Sequence, residues 1–147
     1  MSETILLIED EPELKDVLCK ILEEEGYDIL KAENGKDGVD LFHQHHPDLV
    51  ITDLRMPQKD GLYVINEVVQ SKRGVDVIIL TGHIYIDEAI KCIQMGAYDF
   101  MRKPLDDIDL FLNCINHALE KRRLIKRNRE LEEMITVLTE QNKSKSH

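Results

Sequence analysis

Residues 48–57 read Asp-Leu-Val-Ile-Thr-Asp-Leu-Arg-Met-Pro. The run from Asp48 to Thr52 is short, apolar and β-branched, without polar alternation, which marks a strand buried on both faces of a parallel sheet. It stops on a carboxylate, Asp53, where a core residue would otherwise continue. Two similar runs lie on either side. Thr4 to Ile8 stops on Glu9 and Asp10, and Val75 to Leu80 stops on Thr81. Tyr27 to Leu30 and Ala97 to Met101 supply two weaker strands, the second followed closely by Lys103.

Helical patterns fill the intervals. Leu14, Val17, Leu18, Ile21 and Leu22 recur at i, i+3, i+4 spacing, and Gly26 offers a left-handed stop. Asn34 caps a second helix that uses Val39, Leu41 and Phe42. Val64, Ile65 and Val68 form a third pattern, and Ala89, Ile90 and Ile93 a fourth that ends at Gly96. Strand and helix thus alternate five times, which predicts a doubly wound, five-stranded parallel α/β sheet of flavodoxin-like architecture. In such sheets ligands bind at the carboxyl ends of the strands.

Composition narrows the field. A chain of 147 residues with 42% hydrophobic content holds one core of ordinary size. There are 29 acidic and 19 basic residues, with 24 and 11 of them in residues 1–118 and 5 and 8 in residues 119–147. An acidic body argues against direct nucleic-acid binding, since it offers nothing to displace phosphate counterions. Cys19, Cys92 and Cys114 are odd in number and widely spaced in helical sequence, which fits buried thiols in a reducing cytoplasm. No apolar run reaches membrane-spanning length and no signal-peptide pattern opens the chain, so the expected location is cytoplasmic.

The strand ends carry the chemistry. Glu9, Asp10 and Asp53 in one crevice repel one another unless a positive charge sits among them. A hard divalent cation with oxygen ligands meets that need, and Lys103 adds a fixed ammonium. With the hydroxyl of Thr81 these groups make a phosphoryl-transfer set in which an Asp can be the acceptor, through an acyl phosphate.

On these residues the chain resembles the receiver domains of two-component response regulators, from residue 4 to about 120. The motifs are Ile8-Glu9-Asp10-Glu11, Thr52-Asp53-Leu54-Arg55-Met56-Pro57 with Asp60-Gly61, Leu80-Thr81-Gly82, and Gly96-Ala97-Tyr98-Asp99-Phe100 leading into Lys103-Pro104. The resemblance implies that Asp53 accepts a phosphoryl group from the histidine of a sensor kinase or phosphotransfer protein. It implies that Glu9, Asp10, Asp53 and the backbone carbonyl of Arg55 hold Mg²⁺, or Mn²⁺ in its place. It assigns Thr81, Phe100, Lys103 and Pro104 to phosphoryl binding and switching. Phe100 lacks the hydroxyl of the family's commoner Tyr, which implies a softer switch. Arg55 and His83, each two residues beyond a site residue, match positions that line the path of attacking water and tune phosphate lifetime.

Other readings are weaker. A nucleotide- or flavin-binding sheet wants a glycine-rich first loop, where this chain has Glu9-Asp10-Glu11-Pro12. A phosphatase with an aspartate nucleophile wants a second Asp two residues beyond the first strand's acid, where Pro12 stands. A pure interaction module would not need the complete pocket. His43, His45 and His46 read as solvated residues complementing a helix C-terminus rather than metal ligands. Lys121 to Arg129 reads as an exposed helical face rather than a nucleic-acid or lipid site.

Residues 1–120 therefore form the expected receiver domain and 121–147 a helical extension, cut short of an output domain. Leu105, Ile108, Leu112, Ile115 and Leu119 make a stripe for the sheet. A second stripe starts roughly 140° further round. Leu124, Leu131 and Leu138 recur every seven residues, with Asn128, Ile135 and Asn142 at the alternate position. This predicts a parallel two-stranded coiled coil and a homodimer, with Leu124, Asn128, Leu131, Ile135 and Leu138 as its seam and Arg127 within reach of the other chain's Glu132.

Overall fold

The computed structural model describes residues 2–82, 86–103 and 107–145. Five strands, β1 (Thr4–Ile8), β2 (Asp28–Ala32), β3 (Leu49–Thr52), β4 (Asp76–Thr81) and β5 (Asp99–Arg102), alternate with α1 (Pro12–Glu24), α2 (Gly35–His45), α3 (Gly61–Gln70), α4 (Ile86–Gln94) and α5 (Ile108–Lys145). All strand pairs are parallel, in the spatial order β2-β1-β3-β4-β5. The order reverses between β1 and β3, and the register Ile8 opposite Thr52 puts the carboxyl ends of these two strands side by side. That switch point is where an open α/β sheet leaves a crevice.

The period-2 side-chain alternation of the strands divides the core in two. Leu6, Ile8, Val50, Val77 and Ile79 face one side, where Val39 and Phe42 of α2, Val64, Ile65 and Val68 of α3 and Cys92 of α4 cover them. Ile5, Leu7, Leu49, Ile51, Ile78 and Leu80 face the other, under Leu18, Cys19 and Leu22 of α1 and Phe111, Ile115, Ala118 and Leu119 of α5.

Local signals place most of the boundaries. Pro12 occupies the first turn of α1, where its missing N–H costs nothing. The Asn34 side chain accepts from the Asp37 N–H at 2.8 Å to start α2, and Asp60 accepts from Tyr63 at 3.1 Å to start α3. Gly26 and Gly96 both have the positive φ expected of a helix stop, +93° and +113°. Strand limits shift by one or two residues. Strand β2 extends to Ala32 because Lys31 and Ala32 still pair with Leu7 and Ile8.

Three apolar positions differ from the expected stripes. Val17 is 53% exposed because Leu18, Cys19 and Leu22 define the inner face of α1. Ile90 and Ile93 are each 49% exposed, since α4 turns Cys92 inward instead. On α5 the fully buried residues include Phe111 and Ala118, while Ile108 and Leu112 sit at the edge; Leu105 lies outside the described residues.

The long helix is also fastened to the base of the sheet. Arg122 reaches Asp48 at 3.4 Å and donates to the carbonyls of Arg73 and Gly74 at 3.2 and 3.0 Å. Arg123 pairs with Glu3 just before β1, Lys121 with Asp76 at the start of β4 (3.4 Å), and Lys126 with Asp48 (3.7 Å). The basic stretch that reads as an exposed face is thus partly a clamp onto acids at the amino ends of three strands.

Gly61 opens α3 directly beneath the loop after β3. A Cβ there would lie 2.6 Å from the carbonyl oxygen of Asp53 and 2.9 Å from the Cα of Leu54, both backbone atoms that cannot swing aside. Gly61→Ala is therefore expected to lower stability by about 1–3 kcal/mol through overpacking, read as a reduced denaturant midpoint at unchanged slope.

Candidate functional site

Strand β1 delivers Glu9 and Asp10, β3 delivers Asp53, β4 ends at Thr81, and the loop after β5 delivers Lys103. Backbone bonds lock these ends together. The N–H of Glu9 donates to Ala32 of β2 at 3.0 Å, that of Asp53 to Ile8 at 3.0 Å, and that of Lys103 to the Thr81 carbonyl at 2.8 Å. Side-chain positions at the mouth are therefore set by the sheet rather than by mobile loops.

Glu9, Asp53 and Thr81 are buried, at 1%, 7% and 2% exposure, while Asp10 faces solvent. The Asp53 carboxylate is held from two sides. Its Oδ1 accepts from the Leu54 N–H at 2.7 Å and more loosely from Arg55 at 3.4 Å, and its Oδ2 accepts from the Lys103 ammonium at 2.9 Å. Lys103 also donates to Glu9 Oε1 at 2.6 Å and lies 3.9 Å from Glu11. One cation thus sits among three acids.

Its charge does not fully compensate them. Burial pushes the Glu9 carboxyl up from 4.5 to about 7; the hydrogen bond and charge of Lys103 pull it down, and the charges of Asp53 and Asp10 push it up again. Lys103 is raised despite its own burial, because hydrogen bonds and charges from Glu9 and Asp53 outweigh it. Burial is the largest cause of the Glu9 shift, and the Lys103 ammonium offsets it only in part. Ligand oxygens of Glu9, Asp10 and Asp53 lie within 4.8 Å of one another, and this is the one such group of potential metal ligands among the described residues. An all-oxygen, anionic set of this size fits a hard divalent cation. Among the described residues no comparable group forms around His43, His45 and His46; His46 lies past the end of α2 in left-handed backbone, and His43 faces Glu67 at 3.9 Å.

Phe100 packs, partly buried, against the core under α2, α3 and α4. His83 and Pro104 lie outside the described residues. The Arg55 side chain reaches across to α4, where Nη2 donates to Glu88 Oε1 at 2.5 Å. Nothing in the sequence singles out Glu88, since an acid in the first turn of a helix is commonplace. The thiols are poor nucleophiles. Burial raises Cys19 and Cys92, and burial together with a hydrogen bond to Asp99 pushes Cys114 up to about 12.

Residues 5–115 match the response regulator receiver domain family. This chain belongs to that family. It is 38% identical over 117 residues to the transcriptional regulatory protein GlrR of Escherichia coli, an alignment covering 80% of this chain and 26% of the relative. It is 40% identical over 103 residues to a probable C4-dicarboxylate response regulator, DctR, of Priestia megaterium, covering 69% and 45%. Among solved structures, a signal receiver domain of a LuxO repressor protein from Vibrio parahaemolyticus superposes with a TM-score of 0.81 at 31% identity, covering 86% of this chain and 96% of that one. A receiver domain protein from Clostridium thermocellum gives 0.77 at 34% identity, covering 84% and 98%. The chain thus spans about a quarter to a half of the length of the GlrR and DctR regulators.

A cation bound by the three carboxylates must displace the proton that Glu9 holds up to about pH 7. Apparent divalent-cation affinity is therefore expected to climb between about pH 6 and pH 8, and titration of Glu9→Gln to show a flatter pH profile. Asp10→Ala is expected to weaken binding throughout. Without the cation, the folded chain keeps the Glu9 proton where the unfolded chain has lost it, so this group's contribution to stability falls as pH rises from 4.5 to about 7.

Proposed function

We propose that Asp53 accepts a phosphoryl group from the phosphohistidine of a sensor kinase or phosphotransfer protein. The observation that carries this reading is the Asp53 carboxylate, buried and oriented by two backbone N–H groups and Lys103 beside two further acids. A carboxylate oxygen of Asp53 attacks phosphorus, the bond from phosphorus to the histidine nitrogen breaks, and its electron pair leaves with the imidazole. The product is an acyl phosphate. Lys103 faces the equatorial oxygens with a fixed positive charge, and the Thr81 hydroxyl donates to one of them. Mg²⁺, or Mn²⁺ in its place, held by Glu9, Asp10, Asp53 and the Arg55 carbonyl, supplies the remaining charge neutralisation.

Hydrolysis reverses the loading: water attacks phosphorus and the Asp53 carboxylate departs with the electrons of the broken P–O bond. By the family resemblance Arg55 and His83 set the phosphate lifetime, so the domain assists its own phosphorylation and dephosphorylation without being an enzyme on other substrates. Movement of Thr81 toward the phosphoryl group opens space for the Phe100 ring, and the surface of α4, β5 and the first turns of α5 changes with it. The domain works in the cytoplasm; no described helix is long and apolar enough to cross a membrane.

The tail serves as the output connection. Residues 1–120 act as the receiver and 121–147 as a signalling helix that leads to an output domain, as the length of the relatives supports. Leu124, Leu131, Ile135 and Leu138 are all about half exposed or more, and Asn128 is exposed among them. A second copy of the chain, parallel to the first, covers that seam. Full burial of each such side chain contributes roughly 1.5–3 kcal/mol, and Asn128 fixes the register.

Incubation with Mg²⁺ and acetyl phosphate is expected to add one phosphoryl mass that survives acid and is lost in base, and Asp53→Asn to abolish it. Equal mass gain in the variant would remove Asp53 as acceptor. Separately, Leu131→Asp with Leu138→Asp is expected to convert a dimer to a monomer that still takes up phosphate. Sedimentation showing a monomeric parent at tens of micromolar, or an unchanged dimer in the variant, rules out the seam.

A further inference from the structure

Helix α4 is lightly held. Cys92 is its only fully buried residue, and Ile86, Ile90 and Ile93 are 77%, 49% and 49% exposed. Its first turn is nevertheless tied to the acceptor loop across 33 positions of sequence by the Arg55–Glu88 ion pair at 2.5 Å. The pair borders a cavity of about 350 Å³ that Leu54, Asp60, Leu62 and Lys91 also line. Glu88 is only half satisfied there, since its Oε2 is buried without a hydrogen-bond partner.

We propose that Glu88 is a positioning residue: through Arg55 it couples the acceptor loop to α4, by a contact for which a phosphoryl group on Asp53 competes. The inference rests on the reading of Asp53 as acceptor. Arg55 lies two residues from Asp53, and its N–H already leans on Asp53 Oδ1 at 3.4 Å. Phosphorylation puts added negative charge and three strong acceptor oxygens within its neighbourhood, and a guanidinium favours such oxygens over a single carboxylate oxygen. When Arg55 turns toward them, Glu88 loses a partner for Oε1 while Oε2 has none. Its side chain is 35% exposed but its Oε2 is buried without a partner, so it turns to solvent or toward Lys91 on the same cavity wall, and the first turn of α4 loosens with it. Running the linkage backwards, removing Glu88's charge releases Arg55 to the phosphoryl group and changes its lifetime.

The test uses the whole chain with Mg²⁺ and acetyl phosphate, in the parent, Glu88→Gln, Arg55→Ala and the double variant. Phosphate decay is followed by intact mass after donor removal, and amide exchange is followed across residues 86–94. Glu88→Gln is expected to change the decay rate about two- to five-fold, the range for a partly exposed ion pair, and to have no effect once Arg55 is Ala. Exchange in α4 is expected to quicken on phosphorylation of the parent and to be already fast in unphosphorylated Glu88→Gln, with Glu88→Asp restoring part of the protection. An equal effect of Glu88→Gln with and without Arg55 would mark a merely structural role and overturn the coupling. So would α4 exchange that ignores both phosphate and Glu88. Absence of any mass gain in the parent would instead overturn the acceptor reading, and the competition with it.

Discussion

Two buried carboxylates, Glu9 and Asp53, share one ammonium at the mouth of the sheet, with the solvent-facing carboxylate of Asp10 beside them, and the chemistry proposed for this domain depends on that crowding. The Lys103 ammonium bonds Glu9 at 2.6 Å and Asp53 at 2.9 Å, yet Glu9 still titrates far above its ordinary range. A site balanced by its own lysine would be an inert buried ion pair. Burial that the lysine does not fully offset leaves a role for a cation, and on the proposed reading the ammonium is already aimed where phosphoryl oxygens would arrive.

The sheet makes such a crowded arrangement tolerable. Reversal of strand order between β1 and β3 sets their carboxyl ends side by side, and backbone bonds from Glu9, Asp53 and Lys103 into neighbouring strands fix where the charges stand. Two packed layers beneath, one against α2, α3 and α4 and one against α1 and α5, hold those strands rigid. The free energy released by burying the apolar runs is thus what holds like charges together at their ends.

Strands and acids were legible because both are local. An apolar run that stops on a carboxylate is visible in one line of sequence, and β1 was read with the limits it has in the structure. What was not legible depends on long-range geometry. The outward turn of Val17 and Ile90 follows from which neighbour fills the space under each helix, and Phe111 and Ala118 lie inward beside Ile115 and Leu119, positions that a stripe of leucines does not reveal. Glu88 meets Arg55 only after α3 and β4 have brought α4 across, and the acids that receive Arg122 and Arg123 lie at least 74 positions away in sequence. The basic stretch of α5 therefore looked solvated until the base of the sheet was in view.

That clamp has a geometric consequence. Because Lys121, Arg122, Arg123 and Lys126 fasten the helix to the amino ends of the strands, the azimuth of every later residue is indexed to the sheet. Each added or deleted residue beyond Lys126 turns whatever is attached by about 100° and shifts it by about 1.5 Å. The heading of the tail's apolar stripe relative to the carboxylate crevice is then a matter of helical phase. It can be reset by counting residues, without altering a single contact in the domain.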